Sequence, residues 1–84
     1  MTYFWAKGVA LRMWVADDGR PKAFMWEHQR YQVSVITDQW RIDEGWWIVR
    51  IWREYYEILT DTGLMVVIYK NLLTGQWFLQ WMFD

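Results

Sequence analysis

The chain contains no cysteine. A disulfide framework and a thiolate metal site are both excluded, and the redox compartment is left open. Long apolar runs are missing as well. The longest in the second half, residues 64–69, falls far short of the ~20 residues that a bilayer-spanning helix requires. At the N-terminus, Phe4, Trp5 and Ala6 give way at once to Lys7, with no long apolar signal-peptide core. The default expectation is a cytoplasmic protein without a membrane partner. Excess charge is also missing, because nine Lys and Arg against ten Asp and Glu leave a net charge of −1. A protein whose main work is non-specific phosphate contact is usually strongly basic, so nucleic acid is not the expected partner.

Residues that carry chemistry are equally sparse. His28 is the only histidine, and the carboxylates show no ligand spacing such as an EF-hand loop. Neither a metal nor another cofactor is expected. Ser34, the only serine, sits mid-strand without an elbow motif, and its one conceivable base is His28. The adjacent carboxylates Asp17/Asp18 fall in a turn and Asp43/Glu44 in a loop or helix start, where such acids are normally solvated. Acid–base catalysis needs one carboxyl in a dry pocket. Gly63 and Gly75 are isolated turn glycines rather than a phosphate cradle. An enzyme is not expected.

What the chain has in abundance is aromatic surface. Nine Trp, five Tyr and four Phe make one residue in five a large ring. A domain of this size buries only about 60–65 % of the surface its unfolded chain exposes. Eighteen rings represent about 3,000 Å² or more, at roughly 150–250 Å² each. Some rings must therefore stand outside, and exposed rings that lie together mark a contact site.

The pattern along the chain predicts one mostly antiparallel, all-β domain over residues 1–84. Five or six strands would form a small sheet or half-open barrel, with at most one short helix. Val9, Leu11, Met13 and Val15 alternate with Ala10, Arg12, Trp14 and Ala16, which is a strand period. Residues 1–7 read as an N-terminal arm. Asp17-Asp18-Gly19-Arg20-Pro21 is a turn, because Asp-Gly accepts positive φ and Pro is excluded from a central strand. Two further runs, residues 23–28 and 30–36, make a hairpin across His28-Gln29. Polar residues 37–45 read as a loop with Trp40 and Ile42 tucked inward.

Residues 46–53 are ambiguous. Trp47, Ile51, Tyr55 and Leu59 are spaced by four, and Arg50–Glu54 and Arg53–Glu57 make i,i+4 charge pairs, as in a helix. The Trp-, Tyr- and Ile-rich composition favours strand instead. Strands follow at 54–60 and 64–70, separated by Thr60-Asp61-Thr62-Gly63. A last strand, residues 76–83, follows Leu73-Thr74-Gly75, with Trp77, Leu79, Trp81 and Phe83 alternating onto one face.

Residues 19–84, about four-fifths of the chain, resemble a small bacterial domain family of unknown function. Such domains occur alone or at the C-terminus of the catalytically inactive Y-family polymerase homologue of the translesion mutasome. The resemblance rests on Gly19-Arg20-Pro21, Phe24-x-Trp26, Tyr31-x-Val33, Trp40, Trp46-Trp47, Arg53-x-Tyr55-Tyr56, Gly63, Thr74-Gly75-x-Trp77-x-Leu79 and Phe83-Asp84. It implies a compact domain without known catalytic residues, accessory to DNA damage tolerance.

The departures matter more than the matches. Relatives carry basic residues just after the Trp pair and in the final strand, where this chain has Ile48, Val49 and Trp81. Glu27 also replaces a basic residue, and Trp14, Met25 and Ile36 are large apolar residues on the less apolar faces of their strands. This pattern fits a surface engineered to dock on a protein partner or on itself. Natural drift is the other account, with the same residues covered by residues 2–7. The expected binding patch comprises Trp14, Met25, Ile48, Val49, Trp52 and Trp81 as anchors, with Arg50 and Arg53 at its polar edge. A homodimer through a strand edge is one form it can take. An accessory single-stranded nucleic-acid domain, using Trp46, Trp47, Arg50, Trp52 and Arg53, is the alternative.

Overall fold

The structure is a computed structural model and describes residues 2–45 and 47–83. Six strands follow one another: β1 (Thr2–Val15), β2 (Pro21–Trp26), β3 (Gln29–Gly45), β4 (Arg50–Thr60), β5 (Met65–Asn71) and β6 (Trp77–Phe83). Each pairs antiparallel with the next, and β6 returns to β1, closing a barrel. The described residues contain no helix, and so none that is long and apolar enough to cross a membrane.

Turn chemistry sets the hairpins. Gly19, Gly63 and Gly75 take φ of 85°, 85° and 80° in the turns after β1, β4 and β5. The β2–β3 turn is different, because Glu27 and His28 both adopt positive φ, at 49° and 65°. Two consecutive left-handed residues make the tight hairpin turn for which Asn-Gly is the usual sequence.

Alternation then sorts the side chains. Phe24, Tyr56, Ile58, Val66, Ile68, Trp77, Leu79 and Met82 fill the interior. A barrel of so few strands has no room for a lumen, so the side chains themselves are the core. Trp5, Leu11, Met13, Tyr31 and Ile36 pack against it from the long strands, so Ile36 belongs to the interior rather than to a surface set.

Several sequence expectations are corrected here. Residues 50–53 are strand, not helix, while Trp46 lies outside the described residues. A spacing of four is common to both structures, since it is also twice the strand period, so Ile51, Tyr55 and Leu59 share a face in either. The charges confirm the difference: Glu54 pairs across to Arg41 on β3, and Arg50 to Asp43, rather than to each other. Residues 37–45 are the second half of β3, not a loop. Trp40 and Ile42 are half-buried, but on the outside, against Tyr55. Residues 2–7 are no separate arm; they form the first half of β1 and bulge away from β6 between Phe4 and Val9.

Candidate docking surfaces

Outward-facing residues in register make a second aromatic layer. Trp40, Tyr55, Tyr69 and Phe78 lie directly opposite one another across β3, β4, β5 and β6. Their ring centroids are 5.3, 5.2 and 5.1 Å apart in that order, and Trp40 and Tyr55 are parallel within 3°. Cross-strand aromatic pairs of this kind stabilise a sheet. The row ends against β1 at Gly8, where the Tyr69 hydroxyl donates to the Lys7 carbonyl at 3.2 Å. Arg53 covers the row, its guanidinium 4.4 Å from the Tyr69 ring centre and its Nη1 donating to the Tyr55 hydroxyl. Burial pushes the Tyr69 phenol above its usual range despite the neighbouring Arg53 charge.

Beside this covered row lies an uncovered one. Phe4, Trp81 and Phe83 stand outward on β1 and β6, with 53, 39 and 37 % of their surface exposed. Phe4 and Trp81 are opposite in register with ring centres 5.0 Å apart, and Trp81 is 6.0 Å from Phe83. Met65, Leu59 and the exposed Val35 continue the Phe83 row across β5, β4 and β3. Trp81 reaches this face because β6 skips Gln80 in its pairing with β5, so Leu79 opposes Ile68 and Trp81 opposes Val67. The bulge divides the predicted face: Trp77 and Leu79 point inward, Trp81 and Phe83 outward, and Met82 takes the interior place.

The predicted patch is not one surface. Trp14 and Met25 lie outward on β1 and β2, and Trp14 packs between the guanidinium groups of Arg12 and Arg30, at 5.0 and 4.8 Å. Ile48 and Val49 are strongly exposed at the tip of the β3–β4 hairpin and, with Glu44 and Ile51, line a shallow hollow of about 270 Å³. Arg50 caps the Trp52 ring at 4.6 Å and ion-pairs with Asp43. Arg53 belongs to the aromatic row on the other face of β4, and Trp81 to the Phe4 surface. Sequence reasoning missed Phe4, Phe83, Val35 and the aromatic row, since their adjacency depends on registers that bulges reset.

One buried carboxylate needs an account. Glu54 accepts from Gln39 Nε2 at 2.8 Å and from Arg41 Nε at 2.6 Å. Burial alone would raise its pKa, but those two hydrogen bonds and the Arg41 charge together hold it below the usual carboxylate range. It is therefore a paired charge that ties β4 to β3. Among the described residues, no three His, Asp or Glu gather where they could share a metal ion.

A cavity of about 600 Å³ opens between the start of β1, the β2–β3 turn and the β4–β5 turn. Tyr3, Trp5, Trp26 and Tyr31 line it, and Glu27 is the only charged residue among the described ones that do. No known protein family, curated protein or solved structure matches the chain, so the family resemblance stands on its residues alone.

Proposed function

We propose that this chain is a non-catalytic protein-interaction domain that docks through the outer face of β6 and the adjoining ends of β1 and β5. The observation that carries the reading is the contiguous, exposed group Phe4, Trp81 and Phe83. The occupant is a second copy of the chain. Among the described residues, the side chains that make up this face, Phe4, Trp81, Phe83, Met65 and Leu59, carry no charge. Two such faces meet ring to ring without setting like charges against each other at their centres, as identical charged patches would in an isologous contact.

A strand-edge dimer is the weaker form. From Val33 onward, β3 has only β4 as a pairing partner, but that edge carries two bulges and the charges of Asp38, Arg41, Asp43 and Glu44. Bulges and charges are the usual means of blunting an edge. At roughly 200 Å² per ring, the three exposures leave on the order of 250 Å² of bare aromatic surface. Two such patches make an interface below ~1,200 Å², which is the weak, transient class. A Kd on the order of 10–100 μM is expected.

Light scattering across the micromolar range tests this. The mean mass should rise towards that of a dimer with concentration, and Trp81→Arg should remain monomeric while unfolding cooperatively. A monomer at every concentration would sink the proposal.

A second reading, an accessory single-stranded nucleic-acid domain, draws on a different group from the one the sequence suggested. Arg12 and Arg30 flank Trp14 and have no carboxylate partner among the described residues. That places a ring for stacking beside two phosphate-binding groups. Binding of an oligonucleotide that weakens steeply with salt and is lost in Arg12→Gln would favour it.

A further inference from the structure

We propose that the aromatic cavity at the β2–β3 end of the barrel is a binding site for a quaternary ammonium group. The argument starts from its lining. Tyr3, Trp5, Trp26 and Tyr31 all contribute rings to a space of about 600 Å³. Trp5 lies near both neighbours, 6.1 Å from Tyr3 at an interplanar angle of 17° and 5.3 Å from Trp26 at 63°. The space is therefore bounded by rings in different orientations rather than by one flat stack. Ring faces carry negative electrostatic potential, and the interior of such a cage suits a large, weakly hydrated cation.

Charge complementarity selects the same ligand. Among the described residues, no Lys or Arg lines the cavity, and Glu27 is the one charged residue that does. Glu27 makes no ion pair or hydrogen bond among the described residues. An anion would face four rings and a carboxylate. A neutral apolar molecule would gain nothing from Glu27. A trimethylammonium head satisfies both features, with its methyl groups against the rings and its positive charge towards the carboxylate.

The backbone beneath Glu27 points the same way. Glu27 and His28 hold φ of 49° and 65° in a turn where glycine or asparagine would sit without strain. A charged side chain kept in a strained conformation at the rim of a cavity has a use there beyond making the turn. The site is independent of the Phe4, Trp81 and Phe83 surface, since none of those residues lines it.

The test uses choline and its uncharged isostere 3,3-dimethylbutan-1-ol, which share shape and differ in charge. Each is titrated into the isotopically labelled chain while the indole N–H resonances are followed. Choline is expected to shift Trp5 and Trp26 with a Kd of roughly 1 mM or tighter, and the isostere to bind about tenfold more weakly or worse. Glu27→Gln should weaken choline severalfold without altering the dispersion of the remaining resonances. Equal binding of the two probes overturns the proposal by reducing the site to a plain apolar cavity. Absence of any shift at Trp5 and Trp26 up to about 50 mM choline, far above the expected Kd, overturns it as well.

Discussion

Gly8→Ala is expected to be the most damaging glycine substitution in the chain, for a reason that can be separated into two parts. Gly8 lies where β1 bulges away from β6, at φ 73°, and a Cβ built there would stand 2.9 Å from both the Phe78 Cβ and the Tyr69 hydroxyl. The first part is conformational, because an L-residue in the left-handed region costs ~1–2 kcal/mol. The second is steric. Phe78 Cβ cannot swing aside like the end of a long side chain, so the aromatic row or β1 must move, at ~1–3 kcal/mol for an overpacked site. Together they give ~2–5 kcal/mol, a large share of the ~5–15 kcal/mol that holds a domain folded.

Gly63→Ala supplies the control. Gly63 has φ 85° and nothing within 4 Å of the added Cβ, so only the conformational part applies. Urea denaturation of both variants, followed by tryptophan fluorescence, reads the difference directly from the midpoints when the slopes agree. The two variants should differ by ~1–3 kcal/mol. A difference below about 0.5 kcal/mol, within the usual spread for surface substitutions, would show that β1 does not press on the row.

Three further outcomes are expected. Trp77→Ala truncates a buried core ring and should destabilise by ~3–5 kcal/mol in the same assay; a cost near 1 kcal/mol would contradict its inward placement. Arg41→Met leaves Glu54 with Gln39 alone and should cost ~1–2 kcal/mol at neutral pH, discounted because the Arg41 side chain is more than half exposed. Since the Glu54 pKa is lowered in the fold, its contribution is complete above the ordinary value of 4.5 and fades as pH falls through the lowered one. The gap between Arg41→Met and the parent should therefore close in acid, and a gap that persists would place the effect in lost packing. Replacing Glu27-His28 by Asn-Gly relieves two left-handed residues and should raise stability by ~1–2 kcal/mol, visible as a higher melting temperature; a lower one would argue against the turn conformation.

The readable parts of the fold were those where chemistry is local. Gly19, Gly63 and Gly75 each serve a positive φ that the residue type itself announces. The alternation of Val9, Leu11 and Met13 survives because that stretch carries no bulge. The second half of β3 was hidden because the hairpin leaves most of it open to solvent, and a polar strand has the composition of a loop. Trp81 shows the limit most clearly. Its substitution pattern placed it on the surface and its alternation placed it with Trp77, and the bulge at Gln80 decides between them. No glycine or proline marks that bulge. The cavity was hidden for a related reason, since Trp5, Trp26 and Leu64 meet only once three distant segments converge.

The closure between β1 and β6 has a kinetic side. Every other pairing joins strands adjacent in the chain, whereas Thr2 meets Phe83 across nearly its whole length. Hairpins form quickly, and a contact of such separation carries the largest loop-closure cost, so the seam is expected to close last. Phe4 and Trp81 face each other across that seam. The proposed docking surface therefore exists only in molecules whose seam has closed, and the proposed association would draw the equilibrium away from forms with β1 detached. Dilution would then do more than separate two copies: it would lengthen the time each barrel spends open along one edge.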